Sequence, residues 1–355
     1  MKNILSAFTR KYGASIYSLT KRKIMFFVVL LLTFSGIISC EKSFLGSSSS
    51  ASNSEVFDFL WNDIRNRYSY FELKQIDWDD LKDRYASLID DGMDEFELFE
   101  VLADMLFELE DGHVNLTSSF NRSRNWDWSQ NYPLNYNQGI IDRNYLGKDF
   151  HISGPLRHQV IDSILYVNYR SFADELRLQD LDAIVNRAKN LKGVIVDVRS
   201  NGGGALNNAF NLAGAFTGES YVYGKVRIKN GPCRDCFSSW TDLRVPAKNG
   251  NWFDGPVMVL INRSSYSSTT YFAEMMRQNP RATLIGDSTG GGGGSPVFGE
   301  LPNGWMYRFS ATQAMTIDNQ HFELGIPVHL PVELNPNDES KGEDTILETA
   351  LNQFR

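Results

Sequence analysis

Three short segments carry residue types suited to nucleophilic chemistry. The first, Asn262-Arg263-Ser264-Ser265-Tyr266-Ser267-Ser268-Thr269-Thr270, is a polar stretch between a buried-type strand and a helical run. A side chain at such a junction meets unpaired N–H groups and the positive end of the helix dipole. That suits a nucleophile such as Ser267, which must raise an oxyanion beside itself; Ser and Thr also simply cap helices there. The second, Gly202-Gly203-Gly204, follows another strand. Glycine lets backbone N–H groups approach a ligand closely, so the run reads as an oxyanion hole, a phosphate cradle or a turn. The phosphate reading lacks the Lys-Ser/Thr of a P-loop and the spacing of a dinucleotide fingerprint. Gly290 to Gly294 is a second run with the same ambiguity. The third, His113, follows Asp111-Gly112 where a helical pattern stops, and is either a general base or a structural histidine.

The elements that must position these residues are legible from periodicity. Phe57, Leu60, Trp61, Ile64 and Tyr68 recur at helical spacing after a cap at Ser54. Leu81, Tyr85 and Leu88 repeat the pattern after Asp77, and Phe96, Phe99, Leu102, Leu106 and Leu109 repeat it after Asp94. The spacing predicts an N-terminal helical subdomain over 54–114. Residues 115–160, with Trp126 and Trp128, read as a connector with short strands, too short for an added peptide-binding domain. From 161 the pattern becomes α/β: strands at 164–167, 194–198, 257–261 and 283–285 alternate with helices at 174–190 and 267–278. A largely parallel core over 161–355 follows.

Composition narrows the class. Hydrophobic residues make up 42% and aromatics 13%, enough for a large core. The net charge of -8 is scattered, without the basic stripe of a nucleic-acid binder. Lys21, Arg22 and Lys23 precede an apolar run from Ile24 to Ile38, shorter than the about 20 residues a membrane span needs. Ile37-Ile38-Ser39-Cys40 then resembles a bacterial lipobox. Such a pattern implies a signal peptide over 1–39, lipidation at Cys40, a tether over 40–53 rich in serine, and a location in the cell envelope outside the cytoplasm. Cys233 and Cys236 have no companion ligands for zinc nearby in sequence, and in an exported chain they read as a local disulfide.

Taken in order, the motifs resemble the C-terminal-processing (tail-specific) serine protease family over roughly residues 55–335. They are Leu109-Glu110-Asp111-Gly112-His113, Tyr166-Val167-Asn168-Tyr169, Val196-Asp197-Val198-Arg199-Ser200-Asn201 leading into the glycine triplet, Tyr266-Ser267-Ser268 before Tyr271-Phe272-Ala273, Arg281 to Asp287, and Glu323-Leu324-Gly325-Ile326-Pro327. The resemblance implies an α/β fold: a helical subdomain followed by a ClpP/crotonase-like β-α-β spiral. One branch of the family pairs its serine with a lysine, but that place is Gly292 here. The tricorn-core-like branch uses a histidine from the end of the helical region and a carboxylate near the C-terminus, and His113 and Glu323 stand at those positions. The motif position alone selects Glu323.

The implied function is a serine endopeptidase acting on extracytoplasmic proteins or peptides without metal or cofactor. Ser267 is the nucleophile, His113 the base and Glu323 the group that orients it, with Gly203 and Ser268 as oxyanion donors. A histidine base has a reference pKa of about 6.5, so activity should rise through roughly pH 6 to 7.5 as His113 deprotonates, with Glu323 pushing that midpoint upward. Thr270, where the family often has Glu, and Val328-His329, where it often has Pro-Asp, are departures. A non-catalytic ligand- or peptide-binding lipoprotein on the same scaffold is the alternative; a carbohydrate-binding surface would rest on the aromatics around Trp126.

Overall fold

Local caps define the first helices. In the computed structural model, which describes residues 51–124, 126, 130–248 and 250–355, α1 (Asn53–Arg67) opens with a capping box between Ser52 and Glu55. This cap lies ahead of the expected Ser54. It satisfies orphan N–H donors that would otherwise destabilise the first turn. α1 buries Val56, Phe57, Leu60, Trp61 and Ile64. After α2 (Asp80–Ala86), a second capping box between Asp94 and Glu97 starts α3 (Glu95–Phe107), which buries Leu98, Phe99, Leu102 and Leu106. The expected signal peptide, the expected lipidation site Cys40 and the expected tether up to residue 50 lie outside the described residues, as does Trp128.

The strands that follow do not form a separate connector. β1 (Asn115–Thr117) pairs antiparallel with a strand near the C-terminus, while β2 (His151–Ser153) and β3 (Leu156–Ile161) form the antiparallel edge of the main sheet. Next come β4 (Ile164–Asn168), α4 (Leu178–Ala188), β5 (Gly193–Asp197) and α5 (Leu206–Gly214). Then β6 (Tyr221–Ile228), β7 (Thr241–Val245), β8 (Val257–Ile261), α6 (Ser268–Arg277) and β9 (Ala282–Gly286) follow. The chain ends with β10 (Pro296–Glu300), β11 (Met306–Ser310), β12 (Thr312–Thr316), β13 (Leu330–Pro331) and α7 (Thr345–Asn352). The boundary expected at 160 therefore moves. Residues 151–161 belong to the core sheet, β1 belongs to the sheet of β10 and β11, and Ser52–Arg355 is one unit.

The main sheet has the order β13-β9-β8-β5-β4-β3-β2, parallel from β13 to β4. Its strands are buried on both faces. Leu165, Val167, Val194, Val196, Val257 and Val259 join the cluster covered by α4, α5 and α6. The alternate residues Ile164, Tyr166, Ile195, Met258 and Leu260 pack with Ile346, Leu347, Ala350 and Leu351 of α7. Burial on both sides explains why these strands read as continuous apolar runs without polar alternation. Each large aliphatic side chain so buried contributes about 1.5–3 kcal/mol.

The parallel arrangement also brings the C-terminal ends of β5 and β8 together, and ligands bind such open sheets at this edge. Arg199, wholly buried just after β5, fastens that edge to the end of the chain. Its guanidinium bonds Asp197 at 2.7 Å and Asp344, the cap of α7, at 3.0 Å.

Candidate active site

Polar side chains lock the loop between β8 and α6. Ser265 Oγ donates to the Val198 carbonyl at 2.9 Å, Asn262 Oδ1 accepts from Ser200 N at 2.8 Å, and Tyr266 N donates to the Asn201 carbonyl at 3.1 Å. Ser267 N donates to the Gly291 carbonyl at 2.9 Å. Held at both ends, Ser267 adopts φ 58°, ψ -121°. Such a conformation costs a non-glycine residue on the order of 1–3 kcal/mol, and it turns the side chain out of the helix start into a cavity. Thr269, Thr270 and Tyr271 donate back to the carbonyls of Tyr266 and Ser267, which leaves the Ser268 N–H as the first-turn donor still available.

His113 reaches the same cavity from the other end of the fold. Its Nε2 lies 3.0 Å from Ser267 Oγ across 154 residues of sequence. The turn that carries it is set by Asp111, which is fully buried and accepts from His113 N at 2.8 Å and from the Tyr68 hydroxyl at 3.2 Å. The ring packs against Tyr266 at 5.1 Å between centroids. Burial lowers its pKa to about 4, with Arg308 and Lys74 acting in the same direction, while Asp111 and the Gly294 carbonyl favour the charged ring. Nδ1 makes no hydrogen bond of good geometry.

Glu323 stands close by but does not take the expected place against His113. Its Oε1 pairs with Lys74 Nζ at 3.0 Å, and its Oε2 accepts from Gly293 N at 3.0 Å. Lys74 also donates to the Glu110 carbonyl at 2.6 Å, so it bridges the end of the helical region to the second glycine run. Burial, together with the nearby Asp111, pushes Glu323 up to about 7, against the pull of Lys74 and Gly293. Burial disfavours the Lys74 charge, but Glu323 and Asp111 outweigh it and raise this lysine. Lys74 pairs directly with Glu323, while Asp111 acts on both from nearby.

The glycine runs have separate duties. Gly203, at φ +94°, has its Cα against the nucleophile: a Cβ there would lie 2.8 Å from Ser267 Cβ and 2.9 Å from Ser268 N. Its N–H, expected as an oxyanion donor, is instead engaged by Asn201 Oδ1 at 3.0 Å. Asn201 is fully buried and also accepts from Thr269 Oγ1 at 3.0 Å. Gly292, the place of the lysine in the other branch, lies against the Tyr266 ring, and a Cβ on it would be 2.4 Å from the ring.

The two departures have structural roles. Thr270 Oγ1 bonds the Gly291 carbonyl at 2.6 Å, and His329 Nδ1 accepts from Leu284 N at 2.9 Å. Cys233 and Cys236 form a disulfide. The sequence reading missed Lys74, Asn201 and Arg308 as site residues and quoted Asp111 without a role; none of them sits in a pattern that marks a partner.

Ser267, Ser268, His113 and Gly203 line a cavity of about 510 Å³, together with Tyr266, Gly292 and Arg308. A sequence model of peptidase family S41 matches residues 163–332, and one of the tricorn protease C1 domain matches residues 49–107. A candidate peptidase of Parabacteroides merdae, solved by crystallography, is 40% identical, with a TM-score of 0.82 over 86% of this chain and 97% of that one. The chain belongs to peptidase family S41.

Among curated S41-like relatives, the tail-specific protease of Haemophilus influenzae is 32% identical over 32% of this chain and 16% of its own length. The carboxy-terminal-processing protease of Bartonella bacilliformis is 27% identical over 50% of this chain and 39% of its own length. The S41 chain thus spans well under half the length of the curated relatives it matches. Mature CPAF, solved with lactacystin, shares the fold at 11% identity and a TM-score of 0.67, over 84% of this chain and 97% of that one.

Proposed function

We propose that this S41 chain is a serine endopeptidase that cleaves proteins or peptides through an acyl-enzyme on Ser267. The observation that carries the reading is the 3.0 Å approach of His113 Nε2 to Ser267 Oγ at the start of α6, inside a cavity walled by glycines. A neutral His113 accepts the hydroxyl proton as Oγ attacks the peptide carbonyl, then passes it to the leaving amine. Water, activated by the same ring, hydrolyses the ester. Asp111 is the carboxylate that favours the transient imidazolium. Glu323 acts at one remove, holding Lys74 and the Gly293 peptide so that the ring meets a fixed wall. The Ser268 N–H receives the oxyanion, joined by Gly203 when its peptide turns away from Asn201.

Likeness to a tail-specific and a carboxy-terminal-processing protease supports protein or peptide substrates, and the lipobox-like Ile37-Ile38-Ser39-Cys40 supports lipid anchoring at Cys40 in a bacterial cell envelope. Labelling with a serine-directed fluorophosphonate, followed by mass spectrometry, tests the nucleophile; modification of Ser267 is expected. An unlabelled Ser267 in protein that cleaves an unfolded substrate would overturn the assignment. For the anchor, Cys40→Ala should move the protein from the membrane to the soluble fraction, and an unmodified Cys40 in mature protein would refute it.

A further inference from the structure

The cavity that holds Ser267 carries positive charge with no carboxylate among its described lining residues. Arg308 and Arg124 line it. Arg308 lies on β11, directly across from Asn115 of β1, two residues beyond His113. Its side chain is half-buried, its Nε has no hydrogen-bond partner, and it forms no ion pair among the described residues. Arg124 lies with its guanidinium 4.9 Å from the centre of the Trp126 ring. Burial disfavours the charge on Arg308, and Arg122 and Arg124 add to that by repulsion. Asp111, a carboxylate that acts on Arg308, is already committed to His113 N and the Tyr68 hydroxyl.

A half-buried guanidinium without an acceptor is costly. Crowding further arginines against it, in a chain whose net charge is -8, is the opposite of what the overall composition would place there. Such a group is satisfied when an anion arrives, and a carboxylate matches its fork of donors.

We infer that Arg308, with Arg124 beside it, forms a carboxylate-binding subsite that selects peptides carrying a negative charge within a residue or two of the scissile bond. The inference rests on the peptidase reading of the same cavity. The carboxylate has two sources, an Asp or Glu side chain or the C-terminus of the peptide. Arg308 is a specificity-determining residue: it disfavours the charged His113 ring but neither takes nor gives the transferred proton.

The test uses internally quenched peptides that differ only in Glu against Gln beside the cleaved bond, each with a free C-terminal carboxylate or a C-terminal amide. Wild type should cleave one charged form at least about tenfold faster in kcat/KM than its neutral partner, in keeping with a desolvated charge pair. A preference for Glu names a side chain; a preference for the free acid names the C-terminus. Arg308→Gln should abolish the preference and Arg308→Lys should restore most of it; the preference is a ratio taken within each variant, so any general change in Ser267 reactivity cancels.

Binding of the same peptides to Ser267→Ala, followed by fluorescence anisotropy, gives a readout that does not depend on turnover. Affinity for the charged form should fall by a similar factor on adding Arg308→Gln. Equal cleavage and equal binding of charged and neutral peptides would overturn the inference while leaving the peptidase reading standing. Absence of both labelling and cleavage, with charge-selective binding retained, would overturn the peptidase reading alone.

Discussion

His113 Nε2 meets Ser267 Oγ at 3.0 Å, whereas the carboxylate expected behind the ring, Glu323, is drawn off to Lys74. The base is therefore positioned by Asp111, which holds its backbone, and by packing against Tyr266, rather than by a carboxylate bonded to its second nitrogen. This arrangement separates groups that act on the proton from groups that hold the site together.

Replacement of the nucleophile should be silent for folding and fatal for turnover. Alanine suffers the same φ of 58° as serine, so Ser267→Ala should unfold within about 0.5 kcal/mol of wild type. Hydrolysis of an unstructured protein should fall by about 10⁴-fold or more. A denaturant melt and a gel-based cleavage assay check the two halves. Normal activity would move the search to Ser265 or Ser268.

The pH profile should differ from that of an exposed histidine. His113 must be neutral to accept a proton, and burial holds its pKa at about 4. Activity should therefore rise with pH through about 4 and stay level from about 5 upward, in place of the rise through 6 to 7.5 that an ordinary histidine pKa implies. The measurement is log kcat/KM against pH for a neutral peptide. An acid limb centred between 6 and 7 would show that a carboxylate engages the ring in the working enzyme.

Glu323 should matter more for stability than for proton transfer. Glu323→Gln keeps an acceptor for Gly293 N but leaves Lys74 charged and largely buried, with 14% of its side chain exposed. Breaking a buried pair in this way costs about 3 kcal/mol. Adding Lys74→Met should recover part of that loss, read from denaturant midpoints across the double-mutant cycle. Corrected for the folded fraction, kcat should drop less than about tenfold, against several orders of magnitude for His113→Ala. Comparable losses in kcat for the two would return Glu323 to a direct role at the ring.

A lysine cannot be installed at Gly292. The residue has φ +74°, and a Cβ would lie 2.4 Å from the Tyr266 ring that packs on His113. Gly292→Lys should lose at least about 2 kcal/mol and show no activity when His113→Ala is added. Activity in that double variant, measured on an unfolded protein, would reveal a Ser-Lys arrangement that the packing shown here forbids.

Much of the scaffold was legible because it is decided locally. The helix patterns over 57–68 and 96–109, the second beginning after Asp94, rest on contacts three or four residues apart. The strands at 164–168 and 257–261 are apolar throughout because both faces are covered. The strand at 115–117 could not be placed from sequence because its partner is distant: β1 owes its place to β11, nearly two hundred residues away, whereas 151–161 join the core sheet through β4 directly after them.

Sequence alone placed Ser267 at a strand-to-helix junction, set His113 after a helix end and denied Gly292 a side chain, since these follow from residue type and local turn geometry. Only the tertiary structure decided which groups pair. Lys74 reaches Glu323 before His113 can, Asn201 captures the Gly203 N–H that was read as free, and Arg308 shares the nucleophile's cavity with no carboxylate among its described lining residues. The reason is competition. A buried carboxylate, amide or guanidinium bonds whichever complementary group the fold brings within 3 Å, and that group comes from a distant part of the chain. Burial itself, a property of the whole packed molecule, then lowers His113 and raises Glu323, opposite to the shifts their ideal pairing would produce.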